Sequence, residues 1–207
     1  MAKPTVLRGG GIAADLAFAS HGTTVAVAEL KDRVALVDPA RTAVRASWKD
    51  SKAEFSYAAA LSPSGQQVAT ADLDGYLHIW NALTGRPELP PIRGAENALN
   101  SVNWSPDGSW LVTAGDDIRL YDANSAQEIG TPLPVPHASG PYAVFSQDGS
   151  TIAVADTSGQ VWLYPATPSG WEAYACRLAN RNLTLAEWQK FVPGQPYQQV
   201  CHGKPAR

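Results

Sequence analysis

Cysteine is nearly absent: Cys176 and Cys201 are the only two in 207 residues. That excludes a fold built on disulfides. The two thiols can close one loop of about 25 residues, worth roughly 3–4 kcal/mol in the chain-entropy model, or they can remain a pair of buried thiols. Cys201 and His202 are adjacent, but no second closely spaced ligand pair accompanies them, so the usual zinc pattern is missing. No run of ~18 apolar residues exists, which excludes a membrane-spanning helix. The N-terminal stretch through Gly11 carries a cation but no long apolar core. It does not read as a secretory signal, and a cytoplasmic protein is expected. Lys plus Arg number 16 and Asp plus Glu 19, a formal charge of −3, with no long run of either sign. Without a basic stripe, nucleic acid is not an expected partner, and neither is a membrane.

What the chain does have is a repeat. An apolar run ends in Ser or Phe-Ser, a Gly turn follows, a second apolar run leads into an aspartate-bearing turn, and a third usually ends in an aromatic. The anchors Gly22, Gly65, Gly108 and Gly149 are spaced by 43, 43 and 41 residues, and Val25, Val68, Leu111 and Ile152 keep the same spacing. Short strands at a period of about 40–45 residues are the mark of propeller blades. One such unit cannot bury both its faces, so the units must stack. The composition agrees: 44% apolar, 17% charged, 16 prolines and 17 glycines suit a packed domain with many turns.

The second repeat is the clearest. Tyr57–Leu61 reads as an inner strand, Ser62-Pro-Ser-Gly65 as a turn, and Gln67–Ala71 as the next strand. Asp72-Leu-Asp-Gly75 is a hairpin signal, and Tyr76–Trp80 is the third strand. The third repeat ends in Tyr121 and the fourth in Tyr164, while the first is worn, with Val37 standing where Trp80 stands. Outer strands are expected at Arg45–Trp48, Pro90–Gly94 and Thr131–Val135; the last two are rich in proline, which a sheet tolerates only at its edge. Leu7-Arg8-Gly9 matches Ile92-Arg93-Gly94 two periods on, so residues 5–9 are expected to form an outer strand that would complete the last blade. The expected organisation is blades over 1–167, with repeats at about 13–56, 57–98, 99–140 and 141–167, then a helical tail over 168–207.

The residues Leu61-Ser-Pro-Ser-Gly65 with Asp74-Gly-Tyr-Leu-His-Ile-Trp80, and Trp104-Ser-Pro-Asp-Gly108 with Ile118-Arg-Leu-Tyr-Asp122, resemble the WD-repeat family. The resemblance covers roughly residues 5–165. It implies an all-β propeller of four blade repeats, alone or as part of a larger ring, with structural roles for Trp80, Tyr121, Tyr164, Gly65, Gly108 and Gly149. The family's Gly-His pair before each inner strand is missing, with His137 alone standing near that place. The family closes with seven blades as a rule, so four is at the low end.

Beyond Tyr164 the period changes. Trp171, Tyr174, Ala175 and Leu178 fall on one helical stripe, with Ser169 and Glu172 placed as a capping box. A second box, Thr184 with Glu187, opens a helix over about 185–192 that carries Trp188 and stops at Pro193-Gly194. The string Ala175–Trp188, with Pro196-Tyr197 and Cys201, looks like the tail of bacterial, notably actinobacterial, WD-repeat regulators. In those the propeller commonly ends a long signalling chain that carries its catalytic modules upstream.

Candidate chemistry is thin. Gly9–Ala14 fits a dinucleotide loop only superficially, because Leu16–Ser20 belongs to a blade rather than a helix. No serine lies in a nucleophile elbow. Asp72, Asp74, Asp116, Asp117 and Asp156 share the hairpin-turn position and read as turn formers; His78 reads as facing the blade surface and His21 as exposed. No catalytic residue, metal ligand or cofactor is assigned. The expected function is a non-enzymatic scaffold that binds a protein or peptide, with Trp110, Tyr76 and Trp162 as candidate anchors. Two alternatives stand beside it: a hydrolase or lactonase around a channel metal, and a half-propeller that pairs with a second copy to complete a ring.

Overall fold

The structure, a computed structural model, describes residues 13–19, 22–29, 33–49, 56–135 and 137–205. The expected outer strand at 5–9, the Gly9–Gly11 loop and His21 lie outside the described residues. The chain divides into two compact units, Met1–Leu163 and Tyr164–Arg207.

The first unit holds antiparallel sheets, each a meander in chain order. The first is β1 (Ala13–Phe18), β2 (Val25–Glu29), β3 (Arg33–Asp38) and β4 (Ala43–Lys49); the second is β5 (Ser56–Leu61), β6 (Gln67–Asp72), β7 (Tyr76–Asn81) and β8 (Ile92–Arg93). The third is β9 (Ser101–Trp104), β10 (Trp110–Ala114) and β11 (Ile118–Asp122); the fourth is β12 (Tyr142–Phe145), β13 (Thr151–Ala155) and β14 (Val161–Pro165). The third sheet has three described strands, not four. Thr131–Val135 meets β11 only through an isolated bridge, Ile118 to Leu133, with a second at Tyr121 to Glu128. Leu133 exchanges both backbone hydrogen bonds with Ile118, so Pro132 and Pro134 turn their nitrogens away from β11, the side on which a sheet edge tolerates proline.

The turns explain why the strands fold back where they do. Ser62, Ser105 and Ser146 each accept a hydrogen bond at Oγ from the backbone five residues on, at Gln67, Trp110 and Thr151, over 2.9–3.0 Å. Gly65, Gly108 and Gly149 then adopt φ of +71°, +76° and +71°, a left-handed conformation that costs a residue with a Cβ about 1–2 kcal/mol. Gly75 is more constrained still: at φ +86° a Cβ would run into the carbonyl oxygens of Ala95 and Asn97.

The inner strands β1, β5, β9 and β12 pack side by side in chain order. Sheet stacks on sheet. Ala26, Val34 and Leu36 of the first sheet join Leu61, Val68 and Trp80 of the second in one apolar cluster. Ala58, Ala60, Leu77 and Ile79, on the other face of the second sheet, join Val102, Trp104, Leu111 and Tyr121 of the third. A side chain such as Leu111 or Ile79 is worth about 1.5–3 kcal/mol when fully buried, so the junctions between sheets hold the unit together.

The second unit contains α1 (Pro168–Ala179) and α2 (Leu185–Phe191). The capping box expected at Ser169 and Glu172 does not form. Thr167 is the N-cap instead, its Oγ1 accepting from the Gly170 N–H at 3.1 Å, because Pro168 is preset for the first helical position and lacks only an N–H that would be orphaned there. No residue of α1 is buried. At α2 the box forms as Thr184 with Glu187. Trp188 is buried, its Nε1 donating to the Gln195 carbonyl at 3.0 Å and its ring edge-on to Tyr197 at 5.8 Å. Cys176 and Cys201 are joined by a disulfide, Cα to Cα 5.3 Å. Buried Asn182 organises the segment that follows: its Nδ2 donates to the carbonyls of Cys201 and Lys204, and its Oδ1 accepts from the Cys201 N–H at 2.7 Å.

Candidate interaction surface

Inner strands of neighbouring blades belong to different sheets, so their backbones need partners from somewhere else. Side chains supply them. Asp15, at a bulge in β1, accepts from the Ala59 N–H of β5 at 3.1 Å through Oδ2 and from Leu16 N–H through Oδ1. Trp104 Nε1 of β9 donates to the Ala60 carbonyl of β5 at 3.2 Å. Asn103 Nδ2 donates to the Ala143 carbonyl of β12 at 2.9 Å, while Ser101 Oγ accepts from the Ala143 N–H at 3.0 Å. These bonds lock consecutive blades at the inner rim.

A cleft of about 380 Å³ lies along this rim, lined by Asp15, Phe18, Ala60, Asn103, Trp104 and Tyr142 among others. Tyr142, 48% exposed, lines it, and Tyr57, 37% exposed, neighbours Tyr142. Partial burial, then the neighbouring Tyr57 and Asp15, push the Tyr142 phenol above its usual range. A second hollow, of about 440 Å³, lies across the first two sheets, lined by Thr24, Arg45, Gln66 and Leu83; Arg45 Nη1 donates to Thr24 Oγ1 at 3.0 Å. The carboxylate and amide at the rim are engaged with backbone, so what faces outward is aromatic surface. Among the described residues no group of three His, Cys, Asp or Glu side chains could hold a metal ion.

The aspartates are occupied by turn chemistry. Asp148 is held down to about 2, first by the Ser146 hydroxyl and then by the backbone N–H of Ser150. Asp107 is lowered by the Ser105 hydroxyl, and Asp156 by that of Ser158. Asp116 caps the Glu96 and Asn97 N–H groups and is lowered chiefly by the Asn97 side chain. Asp117 pairs with Arg119, Nε to Oδ1 2.8 Å, and Arg119 reaches on to Glu128 at 3.1 Å.

His78 is not on the surface. It is 5% exposed, and its Nε2 lies 2.9 Å from Oδ2 of the fully buried Asp72. Its ring stacks on Trp80 at 5.6 Å and 6°. A polar residue on an alternating strand reads as outward only if one face of the sheet is wet; the second sheet is covered on both faces. Asp72 is likewise the buried end of β6 rather than an exposed turn residue. A buried His–Asp pair thus exists, assembled from two neighbouring strands rather than from a Gly-His segment. His137 is exposed, at φ +61°.

Of the residues assigned structural roles, Trp80 donates from Nε1 to Thr70 Oγ1 at 3.0 Å and meets Trp48 of the first sheet at 6.3 Å. Tyr121 is 1% exposed, and burial pushes its phenol up to about 12. Burial also raises Tyr164. The candidate anchors Trp110, Tyr76 and Trp162 are half-buried, with Arg93 lying over the Tyr76 ring at 5.0 Å. The rim itself, Asp15, Tyr57, Ser101 and Tyr142, was not singled out by the sequence reading. Its signal was positional: aromatic and polar residues on otherwise Ala- and Val-rich inner strands.

A family model described as WD domain, G-beta repeat matches residues 52–81 and 88–121. Those two segments match WD repeats. The matched segments are the second sheet and the third, and the antiparallel sheets stacked by their inner strands are WD-type propeller blades followed by a short helical tail. Among curated relatives, the Periodic tryptophan protein 2 homolog of Schizosaccharomyces pombe is 32% identical over 114 residues, 54% of this chain and 13% of that protein. The Small ribosomal subunit protein RACK1z of Oryza sativa subsp. japonica is 29% identical over 114 residues, 52% of this chain and 34% of that protein. The Ribosome biogenesis protein erb1 of Aspergillus clavatus is 41% identical over 64 residues, 30% of this chain and 8% of that protein. The chain therefore spans at most about a third of these relatives, all of them eukaryotic, and what it shares with them is the WD repeat. No helix among the described residues is long and apolar enough to cross a membrane.

Proposed function

We propose that the chain is a non-enzymatic interaction scaffold that binds a protein or peptide along the inner rim of its blades. One observation carries this reading. The polar groups at the rim are tied to backbone, as with Asp15 to Ala59 and Asn103 to Ala143, while Tyr57 and Tyr142 keep 37% and 48% of their surface open. Aromatics on a rigid frame are good anchors for a peptide and poor catalysts by themselves. The relatives named for ribosome biogenesis and a ribosomal subunit support the scaffold reading, because assembly work is done by binding. The tail from Ala175 to Trp188 supports a narrower version, in which the chain is the C-terminal sensor part of a bacterial signalling protein, with a second copy of the chain among its partners.

Peptides selected against the immobilised chain test the reading. Tyr57→Ala and Tyr142→Ala should each weaken the selected peptide about tenfold or more, at the scale of an interface hot spot. Turnover of an ester or lactone panel that disappears with Tyr142→Ala would replace the scaffold reading with a hydrolase one. The cytoplasmic part of the proposal has its own test in the Cys176–Cys201 pair. Thiol labelling of protein taken from its native cells decides it: two free thiols keep the cytoplasmic reading, and the closed Cys176–Cys201 bond of the structure, if found there, assigns the chain to an oxidising compartment.

A further inference from the structure

Donors and acceptors along the rim cleft do not balance. Trp104 Nε1 is spent on the Ala60 carbonyl, Asn103 Nδ2 on the Ala143 carbonyl, and the Ser105 hydroxyl on Asp107 at 2.6 Å. Those polar hydrogens are taken, but acceptors are left over. Asp15 accepts one backbone N–H on each carboxylate oxygen, from Leu16 and from Ala59. A carboxylate offers about four lone-pair sites, so it is engaged without being saturated. With its amide nitrogen on Ala143, Asn103 leaves Oδ1 without a donor among the described residues. Asp15 is half-buried and is the one charged side chain on the lining; among the described residues no Lys, Arg or His lines the cleft. After burial and the neighbouring Tyr57, its charge also helps to push up the Tyr142 phenol. The open surface beside these acceptors is aromatic: Phe18 is 65% exposed and Tyr142 48%.

We infer that the cleft takes an arginine side chain of the bound peptide. A guanidinium carries five N–H donors and no acceptor, which answers a lining with spare acceptors and spent donors. An acidic side chain would meet the Asp15 charge and find no cation to hold it. Lysine also donates, but its ammonium is a compact, strongly hydrated charge. The guanidinium is more weakly hydrated and its flat face stacks on aromatic rings, and Phe18 and Tyr142 offer such rings. Asp15 is already fixed to the backbone of two blades, so little freedom is lost when it is paired. A half-buried charge beside apolar surface is costly to leave alone, and the peptide brings the missing partner. This deepens the scaffold reading, and rests on it, by naming the side chain that the peptide presents.

Fluorescence anisotropy on the full chain tests the inference, with the tightest peptide that a random library yields against it as the probe. Loss of affinity for Tyr142→Ala places that peptide at the rim. It should contain an arginine on which binding depends. Citrulline at that position keeps the shape and loses the charge, and should weaken binding about tenfold or more; lysine should restore only part of the loss. Asp15→Asn should bring the arginine and citrulline peptides to about equal affinity, whereas a merely structural role for Asp15 would weaken both alike. Near-ultraviolet circular dichroism checks that Asp15→Asn folds. If it does not, Phe18→Ala, at an exposed position, takes its place and should narrow the same ratio. An arginine-free peptide that still needs Tyr142, citrulline or lysine binding as well as arginine, or a ratio unchanged in the variant would overturn the arginine site and leave the rim reading in place. A probe indifferent to both Tyr57→Ala and Tyr142→Ala removes the rim reading, and the arginine site with it.

Discussion

Replacing His78 with Phe isolates the buried pair in the second blade. Phenylalanine keeps the ring that stacks on Trp80 at 5.6 Å, so packing changes little, but the group 2.9 Å from Asp72 Oδ2 is gone. Asp72 is 0% exposed and cannot turn to water. Breaking a buried ionic or charge-assisted pair by removing one member costs about 3–5 kcal/mol, because the remaining charge stays buried with that interaction lost. Against a typical total stability of about 5–15 kcal/mol, that is a large fraction. Urea unfolding at neutral pH should therefore show H78F losing about 3–5 kcal/mol, read as a lower midpoint at unchanged slope. The second half of the cycle is the sharper test. Adding Asp72→Ala to H78F removes the buried carboxylate that has lost His78 and should return part of the loss, so that the double variant is more stable than H78F alone. If H78F lies within about 1 kcal/mol of wild type, or the two costs simply add, the pair does not hold the blade as argued.

Gly75→Ala should cost at least about 2 kcal/mol, from left-handed strain plus collision with the Ala95 and Asn97 carbonyls; Gly130→Ala, also at positive φ but with open space around it, should cost less in the same thermal melt. Glu187 is held down to about 2, chiefly by the Arg181 guanidinium and then by the Thr184 N–H. Its contribution to the tail is thus fully present above the ordinary carboxylate range and is lost as pH falls toward 2. The Trp188 indole N–H signal should shift over that window in wild type and show no such step in Glu187→Gln. In protein purified with the Cys176–Cys201 bond closed, the double substitution Cys176→Ala with Cys201→Ala should destabilise the second unit by about 3–4 kcal/mol, measured as faster proteolysis after Tyr174 with the blades still intact.

What the sequence made legible was local. Gly65, Gly108 and Gly149 with their preceding serines announce turns because the hydroxyl and the positive φ act within five residues. Once the turns are placed, the strands between them follow. The Thr184–Glu187 box is visible for the same reason. What the sequence hid depended on neighbours far along the chain. His78 looked outward because polar alternation assumes one wet face, and a blade between two others has none. Nothing local marks Asn103 as a cross-blade hydrogen-bond donor to Ala143. Thr131–Val135 looked like a strand by its place in the period, but it meets β11 at a single bridge, Ile118 to Leu133. The exposure of Phe18 and Leu163, 65% and 68%, is hidden for the same reason, since the matching positions of the second and third repeats are buried.

The central claim is that each blade buries its apolar face against the next. Methyl-selective nuclear Overhauser spectroscopy tests it directly. The account predicts cross-peaks from the methyls of Ala58 and Ala60 to those of Val102 and Leu111, residues of one buried cluster drawn from two different sheets. If those cross-peaks are absent while the contacts within the second sheet, such as Ala60 to Ala69, are present, the sheets do not stack and the account is wrong.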